Sequence, residues 1–355
     1  MRRFIATLND RHRQHLAALA AWEALRDEIP ARTDRAAGGL TICSVGFRAR
    51  RCLDLNDRLM ARLNPGAERP EWLVFDNNVD VDEKLPPDDP RFTIVPARHR
   101  DFDMGYDHAL GIAALLPHVR TRFLLVLDPD CFIVLPDWLR RIPEYMADEH
   151  LAFFGTPINP RRHNSYRYFP YMVCMFVDLA RVPPQELCFL PGVWQWRANA
   201  TYRARKALAG IPKAGALFRW LLTEQWRTNG WRIKRRFGSR DDIAFECVQP
   251  VWDIEQAIPR GSVKRLLHTL TPAAVSPIPK KIGYCSSRGF ATAGAPDLGA
   301  LGWEEFMWRD RPFAFHVGSI HSPSAGDYYP ALARAISAFS GVDLRASTPI
   351  ECVPT

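Results

Sequence analysis

The feature that most constrains this chain is the unbroken apolar run Phe123-Leu124-Leu125-Val126-Leu127, which ends abruptly at Asp128-Pro129-Asp130. A continuous run rich in Leu and Val, without polar alternation, reads as a strand covered on both faces, the usual condition of a central parallel strand. The two acids then fall where that strand ends. In open α/β sheets, ligands bind beyond the carboxyl ends of the strands. Carboxylates at i and i+2 on such a rim can share one divalent cation, and Mg²⁺ favours one or two carboxylates plus substrate phosphates. Asp and Pro also favour turns, so Asp-Pro-Asp alone is equally a plain turn. The neighbouring segments decide between the two.

Upstream, strands and helices alternate. Leu40 to Val45 reads as a strand, and Leu53 to Leu63 as a helix with Leu55, Leu59 and Leu63 on one face. Glu71 to Phe75 and Phe92 to Val95 read as strands, and Asp107 to Leu116 as a helix. Four strands separated by helices predict an α/β fold with a mostly parallel, Rossmann-like central sheet. Residues 4–29 form a predicted N-terminal helix, with Leu16, Leu19, Trp22 and Leu25 as its stripe and Pro30 as its stop. Downstream, Trp138 to Met146 reads as a short helix, Leu151 to Gly155 and Phe313 to Gly318 as strands, and Tyr328 to Phe339 as a last helix.

On a parallel sheet the strand ends share one rim. Ser44 lies at the end of the first strand, Asp76-Asn77-Asn78 follows the second, and Asp128-Pro129-Asp130 follows the fourth. A carboxylate such as Asp76 can accept hydrogen bonds from a ribose or a base imide, while the acid pair and its cation hold a diphosphate. Neither G-x-G-x-x-G nor G-x-x-x-x-G-K-S/T is present, which disfavours a dinucleotide dehydrogenase and a P-loop ATPase.

The bulk properties fit a globular chain of 355 residues, 47% hydrophobic and 24% charged. The first residues lack a signal-peptide core, and no segment approaches the roughly 18 uninterrupted apolar residues of a spanning helix. The eight cysteines show no C-x-x-C pairing and read as reduced thiols of a cytoplasmic protein. The net charge of +8 points to anionic partners. It is concentrated between Arg203 and Arg240, where eleven Lys or Arg residues accompany one acid, Glu224. Basic residues interleaved with tryptophans can meet RNA, acidic lipid headgroups or a lipid-linked diphosphate. They equally make a solvated helix face.

The order of these features resembles the GT-A glycosyltransferases, particularly family 2-like members, over roughly residues 40–318. The resemblance rests on the first strand and helix, on Trp72 to Asn78, and on the helix carrying Gly105, His108 and Gly111. Its decisive part is Phe123 to Asp130, which looks like the family's metal-binding D-x-D. It implies a GT-A domain at 38–320 (donor half 38–135, acceptor half 136–320), flanked by an N-terminal extension at 1–37 and a C-terminal helix and tail at 321–355. Donor-binding residues would be Ser44, Asp76 and Asp128, with Asp76 at the nucleoside and Asp128 at the ribose or diphosphate. Metal ligands would be Asp130, Asp128 and the late His316 (His321 being weaker), holding Mg²⁺ or Mn²⁺.

The resemblance further implies a nucleotide-sugar donor, a glycan or lipid-linked acceptor, inversion, and a setting in surface polysaccharide or glycolipid assembly. Peripheral membrane contact would run through the basic 203–240 region. Inverting transfer needs a carboxylate to deprotonate the acceptor. Where the family places it, this chain has Thr228-Asn229, so Asp241 and Asp242 are the nearest candidates for the base. They equally begin the next strand. Rival readings are a sugar-nucleotidyltransferase, and a non-catalytic basic nucleic-acid- or membrane-binding protein on a degenerate transferase fold.

Overall fold

The computed structural model describes residues 2–30, 38–78, 84–97, 104–161, 168–192, 228–258, 260–271, 273, 276, 278–318 and 328–341. In chain order the described elements are α1 (Arg2–Glu28), β1 (Leu40–Gly46), α2 (Arg50–Leu63), β2 (Glu71–Asp76), β3 (Thr93–Pro96), α3 (Met104–Leu115), β4 (Phe123–Leu127), β5 (Cys131–Ile133), α4 (Trp138–Asp148), β6 (Phe153–Gly155), β7 (Cys174–Asp178), α5 (Trp231–Phe237), β8 (Phe245–Cys247), β9 (Gln249–Pro250), α6 (Ile254–Ala257), α7 (Ser262–Leu270), β10 (Glu304–Trp308), β11 (Arg311–His316) and α8 (Tyr329–Ser340).

Seven strands form one sheet in the order β3-β2-β1-β4-β7-β6-β8. Its pairings are parallel except where β7 lies antiparallel between β4 and β6. The fold is therefore α/β with a mostly parallel central sheet flanked by helices. Every residue of β4 is buried, as its unbroken apolar run requires for a strand with neighbours on both edges. Four strands form a second, antiparallel sheet, β5-β11-β10-β9. Its first strand starts one residue after Asp130 enters the chain order, so Asp128-Pro129-Asp130 is where the chain leaves one sheet and enters another.

The helix α1 shares its core with the main sheet. Ala18 and Trp22 are buried in one cluster with Ile112 and Ala113 of α3, and His15 Nδ1 lies 3.1 Å from the Tyr106 hydroxyl. The inward face is thus His15-Ala18-Trp22, and Leu16, expected in the apolar stripe, is exposed. Ala is small enough for close helix packing, and a buried His is tolerated once its ring nitrogen finds a partner. At the other end of the chain, Leu332, Ala335 and Ile336 of α8 pack with Leu55 and Leu59 of α2 and with Phe315. The short strands β9 and β10 are not apparent in the sequence, because two to five residues give too little periodicity to separate strand from loop, and the nine-residue helix α7 is not expected from it either. The described cysteines are free thiols, and no described helix is long and apolar enough to cross a membrane.

Gly111 sets how closely α3 approaches the sheet. A Cβ there would stand 2.8 Å from Phe75 Cδ1 and 2.9 Å from Val45 Cγ2, inside contact distance. Gly111→Ala is expected to destabilise the protein by about 1–2 kcal/mol, because overpacking outweighs the better helix propensity of Ala. A urea midpoint that stays put or rises in this variant would show that α3 has room to spare.

Candidate metal centre

The backbone at the sheet junction is held from several sides. Asp128 N donates to Val173 O at 2.9 Å, Cys131 N to Asp128 O at 2.9 Å, and Val317 N to Asp130 O at 3.0 Å. The buried Asn56 of α2 completes the clamp: its Nδ2 donates to Pro129 O at 2.8 Å and to Cys131 O at 3.1 Å. Proline suits this place because it has no N–H to satisfy. Both carboxylates are thus presented by a turn whose main chain has little freedom.

The second sheet brings the remaining groups. β5 and β11 pair with Cys131 opposite His316, and β11 and β10 pair with Glu304 opposite His316. Directly opposed residues in antiparallel strands are neighbours, so two cross-strand pairings line up the Asp130 turn, His316 and Glu304. His316 Nε2 lies 3.3 Å from Asp130 Oδ1, and its Nδ1 lies 2.8 Å from Glu304 Oε2. Phe315 beside it is stacked between Phe132 and Trp303, at centroid distances of 5.1 and 5.6 Å, which fixes the strand that carries the imidazole. From the other side, His108 of α3 places Nε2 3.1 Å from Asp128 Oδ1.

The donor atoms of Asp128, Asp130 and His316 lie within 4.8 Å of one another. Burial works against a charged His316 ring, but Asp130 and Glu304 override it and push its pKa up to about 10. Burial likewise opposes charge on His108, and Asp128 again outweighs it, raising the pKa above the ordinary histidine value. So much negative charge in one place favours a cation.

The residues fit a divalent ion on their own chemistry. Asp128 Oδ1 is buried and, although at ion-pair distance from His108, lacks a partner in hydrogen-bond geometry among the described residues. Two carboxylates and an imidazole form a mixed oxygen–nitrogen donor set suited to a transition ion such as Mn²⁺. The carboxylate of Glu304 on the far ring nitrogen is the usual outer partner that orients a metal-binding histidine. Glu304 and Asn56 were missed in the sequence, since only the strand register and the packing of α2 bring them here. Glu304 stands beside Trp303 in an element too short to recognise.

The structure brings Asp128, Asp130 and His316 together. Asp76 ends β2 on the same rim: Gly46 pairs with Asp76, and Cys43 with Val126, which puts Asp76 level with the Asp-Pro-Asp turn. One strand intervenes, a separation of about 10 Å at sheet spacing. Asp76 also ties its own loop, its Oδ1 accepting from Asn78 N and Nδ2 and its Oδ2 from Leu85 N. Ser44 is placed inside the sheet rather than on the rim. It is fully buried, its hydroxyl donating to Leu127 O at 2.7 Å and accepting from Trp72 Nε1 at 3.0 Å.

Asp241 and Asp242 are not brought to this rim. They precede β8, which runs parallel to β6 with Phe245 opposite Phe153, and β6 in turn aligns through β7 with the start of β4. That puts them at the opposite end of the strands, roughly 20 Å from Asp128 at the rise of a strand. Both are exposed. The Arg240 guanidinium grips Asp242 at 2.9 and 2.5 Å and holds its pKa below the ordinary carboxylate value, which weakens it as a base. Asn229 instead lies by α3: its Oδ1 is 3.8 Å from where a Cβ on Gly105 would stand. His321 and Glu224 lie outside the described residues. Of the basic 203–240 region only 228–240 is described, and there Arg236 pairs with Glu186, Arg235 covers the Trp231 ring, and Arg240 holds Asp242.

No protein-family model matches the chain, and no curated protein matches it. Among solved structures, it is similar to S. aureus TarS 1-349 at 12% identity and a TM-score of 0.30, covering 42% of this chain and 50% of that one. The same protein in complex with UDP-GlcNAc aligns at 11% identity and a TM-score of 0.30, over 42% and 48%. The mannosyltransferase PcManGT from Pyrobaculum calidifontis, in complex with GDP-Man and Mn²⁺, aligns at 14% identity and a TM-score of 0.32, over 84% and 88%. The chain thus spans about half the length of the TarS structures it matches. Alignments at this level establish neither an activity nor a substrate for this chain.

Two substitutions test the geometry. Glu304→Gln keeps the shape but weakens the hold on His316, and is expected to lower Mn²⁺ affinity about 10- to 100-fold by calorimetry. Asn56→Ala leaves two buried carbonyls without their donor and is expected to cost about 1–3 kcal/mol in chemical denaturation.

Proposed function

We propose that the chain is a metal-dependent glycosyltransferase that moves a sugar from a nucleoside diphosphate donor to a glycan or lipid-linked acceptor. The observation that carries this reading is the grouping of Asp128, Asp130 and His316 at the strand-end rim of a mostly parallel sheet. Asp76, level with them and about 10 Å away, is the group we assign to the nucleoside, with its Oδ2 keeping acceptor capacity beyond Leu85 N. Asp128, Asp130 and His316 would hold Mg²⁺ or Mn²⁺ against the diphosphate. When bound, such an ion neutralises the charge that grows on the departing nucleoside diphosphate.

The protein's own residues have separable tasks in this reading. Glu304 fixes the tautomer and orientation of His316. Asn56 fixes the backbone that aims both aspartates. His108, whose Nε2 lies 3.1 Å from Asp128 Oδ1, flanks the acid pair on the side of α3. The acceptor base is not assigned to Asp241 or Asp242, because the strand register sets them on the far rim. The start of α5, beside α3, carries Thr228-Asn229 in its place. Neither side chain is a carboxylate, so any general base must come from another segment.

Nucleotide sugars screened by thermal shift, with and without Mn²⁺, test the proposal. A nucleoside diphosphate sugar that binds the native state raises the midpoint by mass action, and Asp130→Ala is expected to abolish the metal-dependent part of that rise. Release of nucleoside diphosphate on adding acceptor identifies a transferase. Release of pyrophosphate from a sugar phosphate and a nucleoside triphosphate would instead identify a nucleotidyltransferase.

A further inference from the structure

The helix α7 packs inside out. Val263, Leu266 and Leu270, at i, i+3 and i+7, form one face, yet they are 68%, 57% and 69% exposed. The buried side chain of α7 is a polar one, His268, whose Nδ1 lies 3.4 Å from Ser276 Oγ. At 3.6 residues per turn His268 is roughly 140° round the helix from Val263, so α7 rests on the protein through His268 and the half-buried Leu267 and turns Val263, Leu266 and Leu270 outward. Leaving three large apolar side chains in water on a nine-residue helix is unfavourable unless something covers them.

A fourth exposed apolar group stands in the loop tied to α7. Ile282 is 94% exposed. Its loop is tied down on both sides: Lys280 Nζ donates to Thr269 O of α7 at 2.8 Å, and Lys280 N donates to the Tyr168 hydroxyl at 2.7 Å. The Lys281 ammonium sits 4.9 Å over the Tyr168 ring. Of the six most exposed large apolar side chains among the described residues, four therefore fall between Val263 and Ile282, while Leu16 and Leu301 stand in other elements.

The charge of the segment selects its partner. From Arg260 to Ile282 there are five Lys or Arg residues and no Asp or Glu. A second copy of the chain docked about a two-fold axis would set this patch against itself, bringing like charges together around the leucines. An anionic lipid surface offers what the patch lacks: an apolar layer for the stripe and negative headgroups for the basic rim.

We infer that the outward face of α7, with Ile282, docks the protein on the surface of an anionic lipid bilayer. The leucines, Val263 and Ile282 enter the boundary between headgroups and acyl chains, with Arg260, Lys264 and Lys281 at headgroup level. This contact uses residues outside both the metal centre and the 203–240 segment of the sequence, and it stands whether or not the chain transfers sugar.

Vesicle flotation of the full chain tests it. Vesicles of phosphatidylcholine with roughly one-third phosphatidylglycerol are expected to carry the protein at low salt, with several-fold less carried as salt rises. Leu266→Asp combined with Leu270→Asp is expected to cut the bound fraction at least about tenfold, and Ile282→Asp to cut it less. Because these side chains face water, near-ultraviolet circular dichroism and the Mn²⁺-induced thermal shift should match the wild type. Wild-type protein that fails to float with the anionic vesicles, or a double variant that floats as well as the wild type, overturns the inference. So does a wild-type dimer that becomes monomeric in the double variant while vesicle binding is unchanged, which would make the face a contact between copies.

Discussion

The rest of the site depends on a single crossing of the chain. Asp128-Pro129-Asp130 is the shortest route from the central strand of a mostly parallel sheet into the edge strand of an antiparallel one. Such a junction has no ladder of its own, so its carbonyls and amides must be satisfied from elsewhere. Asn56, Val173 and Val317 do this. The outcome is a turn that holds two carboxylates close together, in spite of their mutual repulsion, with imidazoles from opposite sides: His108 from a helix of the first layer and His316 from a strand of the second. The two sheets thus meet at a cluster of charged side chains.

Much of the donor side could be read along the chain, because its signals are local. The continuous run 123–127 can only be covered on both faces, and the acids that follow it stand two positions apart, on either side of Pro129. The strands 40–46, 71–76 and 93–96 and the helices between them show their periodicity within single segments. His316 could be singled out by resemblance. What could not be read is whatever depends on register. Glu304 comes to His316 through a strand pairing, and Asn56 through the packing of α2, neither of which leaves a trace in spacing. Ser44, adjacent to the rim in sequence, points into the sheet, since neighbouring strand residues face opposite sides. Asp241 and Asp242 carried the right chemistry, but the direction of β8 sets them at the wrong end of the strands. The inversion of α7 was invisible for another reason: an amphipathic pattern says that a helix has an apolar face, and leaves open whether that face turns to the core.

The strand-end rim carries a charged cluster whose components support one another through bonds of ordinary length. The strand register sets Asp241 and Asp242 at the opposite ends of the strands, away from that rim. In the proposed reading, such a site serves to bind and polarise a phosphate-bearing leaving group. In that reading, selectivity for an acceptor would lie in other segments, and the exposed face of α7 would bring a lipid-borne acceptor and the protein into the same plane.

Anomalous diffraction from crystals grown with Mn²⁺ and a nucleoside diphosphate bears most directly on the central claim. The account predicts a manganese peak about 2–2.5 Å from carboxylate oxygens of Asp128 and Asp130 and from Nε2 of His316, with the diphosphate on its open side and the nucleoside towards Asp76. A metal peak elsewhere, or a nucleotide bound at the opposite rim of the sheet, would contradict it.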